Sequence, residues 1–158
     1  MTVTPEDLVE IEAIKRLKYR YVRLLDTKEF DEMEELFLED ATASYGDGAY
    51  SFEGREKILE FLRSALGPRT MVTSHKVHQP EIDLTGPGRA SGTWGLEDVV
   101  IITDHALEIR GAAFYADEYV KVDDAWRIKH TGYQRLFEEM GSRPADLKLT
   151  ANRWADGA

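Results

Sequence analysis

Apolar residues recur at helical spacing near the start of the chain, where Leu8, Ile11, Ile14, Leu17, Tyr21, Leu24 and Leu25 form one stripe. Thr4, Pro5 and Asp7 precede it in the order of an N-cap, a first-turn proline and a first-turn acid, so the spacing predicts a helix ending at about Asp26. Met33, Leu36 and Phe37 repeat the i, i+3, i+4 pattern and predict a short second helix. Residues 41–46, ATASYG, are strand-like, and Gly46-Asp47-Gly48 marks a turn before Tyr50 and Phe52. Ile58, Leu59, Phe61 and Leu62 predict a third helix closed by Gly67-Pro68.

From Thr70 the pattern changes to long β-rich segments over about 71–84, 89–103, 109–122 and 126–137. Gly86-Pro87-Gly88 separates the first two and Asp123-Asp124 the last two. Helices first and long neighbouring strands after predict an α+β domain with a mostly antiparallel sheet and helices on one face. Leu147, Leu149 and Trp154 make the tail after Gly141 too apolar for solvated coil, so it is expected to dock on its own sheet or on a neighbouring subunit.

At 158 residues the chain is expected to form one domain large enough for a core and a modest pocket. A net charge of −10 argues against a nucleic-acid or anionic-membrane surface, which needs a basic patch, but leaves room for an anionic small ligand. The absence of cysteine removes disulfides, thiolate metal sites and cysteine nucleophiles. MTVTPEDLVE lacks the basic and apolar regions of a signal peptide, and no apolar run approaches twenty residues, so the expectation is a soluble, cytoplasmic protein.

Four polar residues lie inside or at the end of apolar elements: Tyr21, Asp26, His75 and Asp98. A phenol, two carboxylates and an imidazole can take a proton from carbon and expel a neighbouring hydroxyl. Asp26 sits at a helix C-terminus, where the macrodipole disfavours its charge, so either a specific partner holds it or it is a solvated end beside Lys28. Tyr21 lies on the apolar stripe, where a tyrosine is usually a core residue whose hydroxyl reaches a nearby partner, a functional phenol being the alternative. His75 and His78 form an HxxH pair, but residues three apart on a strand point to opposite faces, so no metal site is expected; His75, with Val77, is the inward one. Asp98 interrupts the row Trp94, Leu96, Val100 and Ile102, and a carboxylate in such a row is either an acid–base residue or a structural hydrogen-bonding group. His105 is expected at a solvated hairpin tip, His130 in the core with Trp126 and Ile128, and Arg135 at a strand end where a guanidinium can meet an anionic group.

The segments IEAIKRLKYRYVRLLD, SHKVHQPEI, SGTWGLEDVV, GAAFYADEYVKVDDAWRI and TGYQRLFEE together resemble the SnoaL-like branch of the nuclear-transport-factor-2-like superfamily, and within it the bile-acid 7α-dehydratases. The resemblance runs from about Ile11 through the tail, so that residues 1–158 would be a single SnoaL-like domain. It implies a cone-shaped α+β barrel: a strongly curved sheet around a deep apolar pocket, closed by the three helices. It matches Tyr21, Asp26, His75 and Asp98 to the catalytic positions and Arg135 to a residue near the substrate, with Trp94 as a second expected substrate contact. It implies elimination of water from a hydroxylated steroid-like or polycyclic ketone, free or as a coenzyme A thioester, without metal or organic cofactor, in a trimer or failing that a dimer. His75, oriented by Asp26, would be the base and Tyr21 the oxyanion donor, while Asp98 would either assist the leaving hydroxyl as a buried acid or position the substrate. DDAW stands where a DG-type turn is common in the family, and the stretch 104–110 differs from the corresponding hairpin. A ketosteroid-type isomerase or cyclase, and a ligand-binding module without turnover, are the alternatives, because one such fold hosts all three.

Overall fold

The computed structural model describes residues 3–155; the first two residues of the stretch read for a signal peptide and the last three of the tail lie outside it. Helix α1 (Pro5–Asp26) opens with a full capping box, in which Thr4 accepts from the Asp7 backbone and the Asp7 carboxylate accepts from the Thr4 backbone. Ile14, Leu17, Tyr21, Leu24 and Leu25 are buried, as their spacing predicts. Leu8, at the start of the predicted stripe, is exposed. After α1 come strands β1 (Phe37–Tyr45) and β2 (Tyr50–Glu53), helix α2 (Arg55–Leu66), and strands β3 (Met71–Gly86), β4 (Arg89–Ile102), β5 (Leu107–Val122) and β6 (Ala125–Ser142). None of the described helices is long and apolar enough to cross a membrane.

The six strands form one curved sheet in the order β2-β1-β6-β5-β4-β3. β1 runs parallel to β6 and the other pairings are antiparallel. The helices cover its inner face and enclose a core of Ile14, Tyr21, Leu24, Met33, Ile58, Trp94, Tyr115 and Ile128. This is the α+β domain that the order of helical and strand periods predicts, in the cone form that the family resemblance implies.

The predicted second helix is a single 3-10 turn at Glu34–Leu36, and Phe37 already begins β1. Met33, Leu36 and Phe37 are all buried, but so short a helix does not recover its nucleation cost, and the chain satisfies its backbone by joining β6. His130 also departs from expectation. Glu118 pairs with His130 and Tyr119 with Ile128, which leaves Lys129 as an extra residue in β6. That bulge reverses the alternation, so Thr131 takes the fully buried place and His130 hydrogen-bonds Thr42 through Nδ1 at 2.7 Å. A second bulge at Leu136, between the pairs Ala112–Phe137 and Ala113–Arg135, ends the inward row Thr131, Tyr133, Arg135. The tail returns to its own chain: Arg69 donates to the carbonyls of Trp154 and Ala155 at 3.1 and 2.9 Å, and Lys28 lies 5.1 Å from the Trp154 ring centroid.

Candidate active site

Asp26 ends α1 facing the start of β3. Its Oδ1 accepts from Thr73 Oγ1 at 2.9 Å and lies 2.6 Å from His75 Nδ1, while Oδ2 accepts from the His75 backbone N–H at 2.7 Å. Burial pushes the Asp26 carboxyl up, but the hydrogen bonds and charge of His75, with Thr73, outweigh it and hold the group below the usual carboxylate range. These donors offset the unfavourable helix terminus. Lys28 does not pair with Asp26 in the manner of a solvated helix end, because its ammonium is taken up by the carbonyls of Leu66 and Met71.

The His75 ring is fixed by this contact through Nδ1, and its Nε2 has no hydrogen-bond partner among the described residues. A carboxylate on Nδ1 keeps the proton there and leaves Nε2 with a free lone pair, the state a general base requires. His78 points the other way, as strand parity demands, and meets Glu97 on the outer surface at 3.1 Å. His105 lies exposed at the β4–β5 turn.

Directly across from His75 on β4 stands Asp98. It is buried and chelated by Arg135, with Nη1–Oδ1 at 2.5 Å and Nη2–Oδ2 at 3.0 Å. The next residue in the cross-strand row is Gly111, and here glycine is required, because a Cβ would stand 2.8 Å from Arg135 Nη1 and 2.6 Å from the Phe137 carbonyl oxygen. Both oxygens of Asp98 are thus acceptors for a guanidinium. The expectation of Asp98 as a buried proton donor to the leaving group does not fit that geometry; an anchor for Arg135 does. Arg135 also contacts Glu138 at 2.9 Å and lies 4.9 Å from the Tyr133 ring centroid, while its buried Nε has no partner among the described residues.

Tyr21 is fully buried, five residues before Asp26 on α1, and its hydroxyl lies 3.0 Å from that of Tyr45 on β1. Burial pushes both phenols well above their ordinary range, so both are neutral hydrogen-bond donors or acceptors. Trp94 is fully buried, deeper on the Asp98 row, and donates from Nε1 to Tyr119 at 3.0 Å. The structure therefore joins Asp26 to His75, sets Asp98 with Arg135 beside them, and places Tyr21 on the same helix with a phenol partner. Thr73, Tyr45, Lys18 and Asp117 escaped the sequence reading. Asp117 was open to the test that found Asp98, since it interrupts the inward row Ala113, Tyr115, Tyr119.

The SnoaL-like domain model matches residues 6–132. The chain belongs to the SnoaL-like family. Its fold is similar to that of a putative scytalone dehydratase from Novosphingobium aromaticivorans, 25% identical with a TM-score of 0.78 over 90% of this chain and 97% of that one. A hexachlorocyclohexane dehydrochlorinase, LinA type 3 from Novosphingobium barchaimii, has the same fold at 17% identity and a TM-score of 0.78, over 91% of this chain and 96% of its own. A probable cyclase from Gibberella zeae is 24% identical over 149 residues, 87% of this chain and 96% of its own. This chain thus shares a family or a fold with proteins described as a putative dehydratase, a dehydrochlorinase and a probable cyclase, and it carries an Asp–His pair where α1 meets β3.

Proposed function

We propose that this protein is a hydro-lyase that removes water from a hydroxylated, steroid-like or polycyclic ketone or the corresponding thioester. The observation that carries the reading is the Asp26–His75 contact at 2.6 Å, which secures the imidazole by Nδ1 and leaves Nε2 open. His75 Nε2 takes the proton from the carbon activated by the carbonyl, and the electron pair moves to the carbonyl oxygen as an enolate. The Tyr21 hydroxyl, with Tyr45 as its partner, donates to that oxygen in a site shielded from water. The enolate then collapses, the carbon–oxygen bond to the β-placed or vinylogous hydroxyl breaks, and the imidazolium returns its proton so that water departs. Arg135, held by Asp98, orients an oxygen of the substrate. The reading favours elimination over carboxylate-based isomerisation because both oxygens of Asp26 are occupied by three donors.

The test is incubation with a panel of β-hydroxy polycyclic ketones, including 3-oxo-4-ene 7α-hydroxy steroids, free and as coenzyme A thioesters. The expected result is an ultraviolet-absorbing conjugated diene, lost in His75→Ala. Turnover that survives His75→Ala but needs Asp26 would establish an isomerase instead. Tight binding of panel members without turnover would leave a ligand-binding module.

A further inference from the structure

Lys18 and Asp117 form an ion pair that the proposed elimination does not use. Lys18 Nζ lies 2.7 Å from Asp117 Oδ2, and neither side chain has exposed surface. Tyr119 donates to Asp117 Oδ2 at 2.7 Å and Thr131 to Oδ1 at 2.7 Å. Trp94 Nε1 in turn donates to the Tyr119 hydroxyl. The ammonium also reaches Thr131 Oγ1 at 3.4 Å and lies 3.4 Å from the Tyr115 ring centroid and 4.6 Å from that of Tyr21. One pair of charges therefore ties α1 to β4, β5 and β6.

Such a pair is a poor source of stability, since the cost of desolvation offsets the attraction and apolar residues of similar volume do as well. What apolar residues do not supply is direction. Apolar packing is less directional than hydrogen bonds and ion pairs, so an ammonium among fixed acceptors and ring faces narrows the positions open to the helix. That matters here because α1 carries Tyr21 and Asp26 while the sheet carries His75. Tyr21 follows Lys18 by about 4.5 Å along the helix axis and Asp26 by about 12 Å.

We propose that the Lys18–Asp117 pair is a positioning device: it sets the register of α1 on the sheet so that Asp26 meets His75 Nδ1. Its catalytic consequence rests on the reading of His75 as the base, but the positioning itself is measurable without substrate.

The decisive variant is Lys18→Met/Asp117→Asn, which removes both charges and nearly keeps both volumes. The expected outcome is unchanged or higher resistance to urea together with a weakened Asp26–His75 contact, seen by NMR as faster exchange of the His75 Nδ1 proton with water. On a substrate that the wild type turns over, kcat falls about 10- to 100-fold with little change in KM, the cost of a misplacement of up to an ångström. Tyr119→Phe, which keeps both charges and removes one hydroxyl from Asp117, is expected to move both readouts the same way by a smaller factor. It decides the matter should the double variant not fold. The inference is overturned if a folded variant keeps the His75 proton signal and kcat of the wild type, or if only stability is lost. Absence of turnover in the wild type would sink the dehydratase reading while leaving the NMR comparison intact.

Discussion

Asp26→Asn tests the Asp–His unit with almost no change in shape. The carboxylate faces three donors: the His75 backbone N–H at Oδ2, and His75 Nδ1 and the Thr73 hydroxyl at Oδ1. The backbone N–H cannot change its role, so the asparagine oxygen must take that place and its NH2 must turn toward Nδ1 and Thr73. Thr73 adapts by rotating its hydroxyl. His75 adapts only by carrying its proton on Nε2, which removes the lone pair that the base needs. The opposite amide orientation sets NH2 against the backbone N–H at 2.7 Å, a donor–donor contact that no tautomer relieves. In the serine-protease triad the equivalent exchange lowers kcat about 10⁴-fold through the same tautomer error, and a loss of about 10³- to 10⁴-fold is expected here. Stability is expected to fall by only about 1.5–3 kcal/mol, the worth of a hydrogen bond to a charged group. Diene formation measures the first quantity, urea unfolding the second, and ring ¹⁵N shifts report the tautomer directly. Activity within about threefold of wild type, or a His75 ring still protonated at Nδ1, would refute the reasoning.

Two further outcomes follow from the buried charges and phenols. Arg135→Met leaves Asp98 buried without its guanidinium and is expected to destabilise the fold by about 3–5 kcal/mol, whereas Arg135→Met/Asp98→Leu recovers most of that loss in urea titration. The pH profile of stability has a cause at each end. Asp26 is held below its unfolded value, so its contribution is complete above about pH 4 and is lost as pH falls through the depressed value; Asp26→Asn should flatten that part of the acid unfolding curve. Tyr21, Tyr45, Tyr115 and Tyr119 are raised by burial, so their contribution is complete below about pH 10 and is lost as pH rises beyond it. Their ionisation, followed by absorbance near 295 nm, should coincide with unfolding by circular dichroism; ionisation of all four while the protein is still folded would contradict their burial.

Local pattern determined much of this protein. The helical stripe from Ile14 to Leu25, the turns at Gly46–Gly48 and Asp123–Asp124, and the alternation along β4 are short-range properties, because side-chain direction repeats with a fixed period in a helix or strand. Alternation alone marked Asp98 as a carboxylate in an apolar row and turned His75 inward and His78 outward. The same test applied to β5 would have found Asp117, and helical spacing from Ile14 through Lys18 to Tyr21 and Leu25 would have placed Lys18 at the middle of the buried stripe.

Partnership is what period cannot contain. Which group meets Asp26, 49 residues from His75 in sequence, depends on where α1 crosses the sheet, and Arg135 reaches Asp98 only because Gly111 leaves the space. Periodicity also fails wherever an extra residue enters a strand, as Lys129 does ahead of His130, since a bulge is defined by the neighbouring strand. The sequence alone thus determined which faces are buried and which residues lie on them as chemical anomalies. Tertiary structure alone decided what those residues touch, an arginine for Asp98 and a histidine for Asp26, because the partner of a buried charge is set by the groups packed against it.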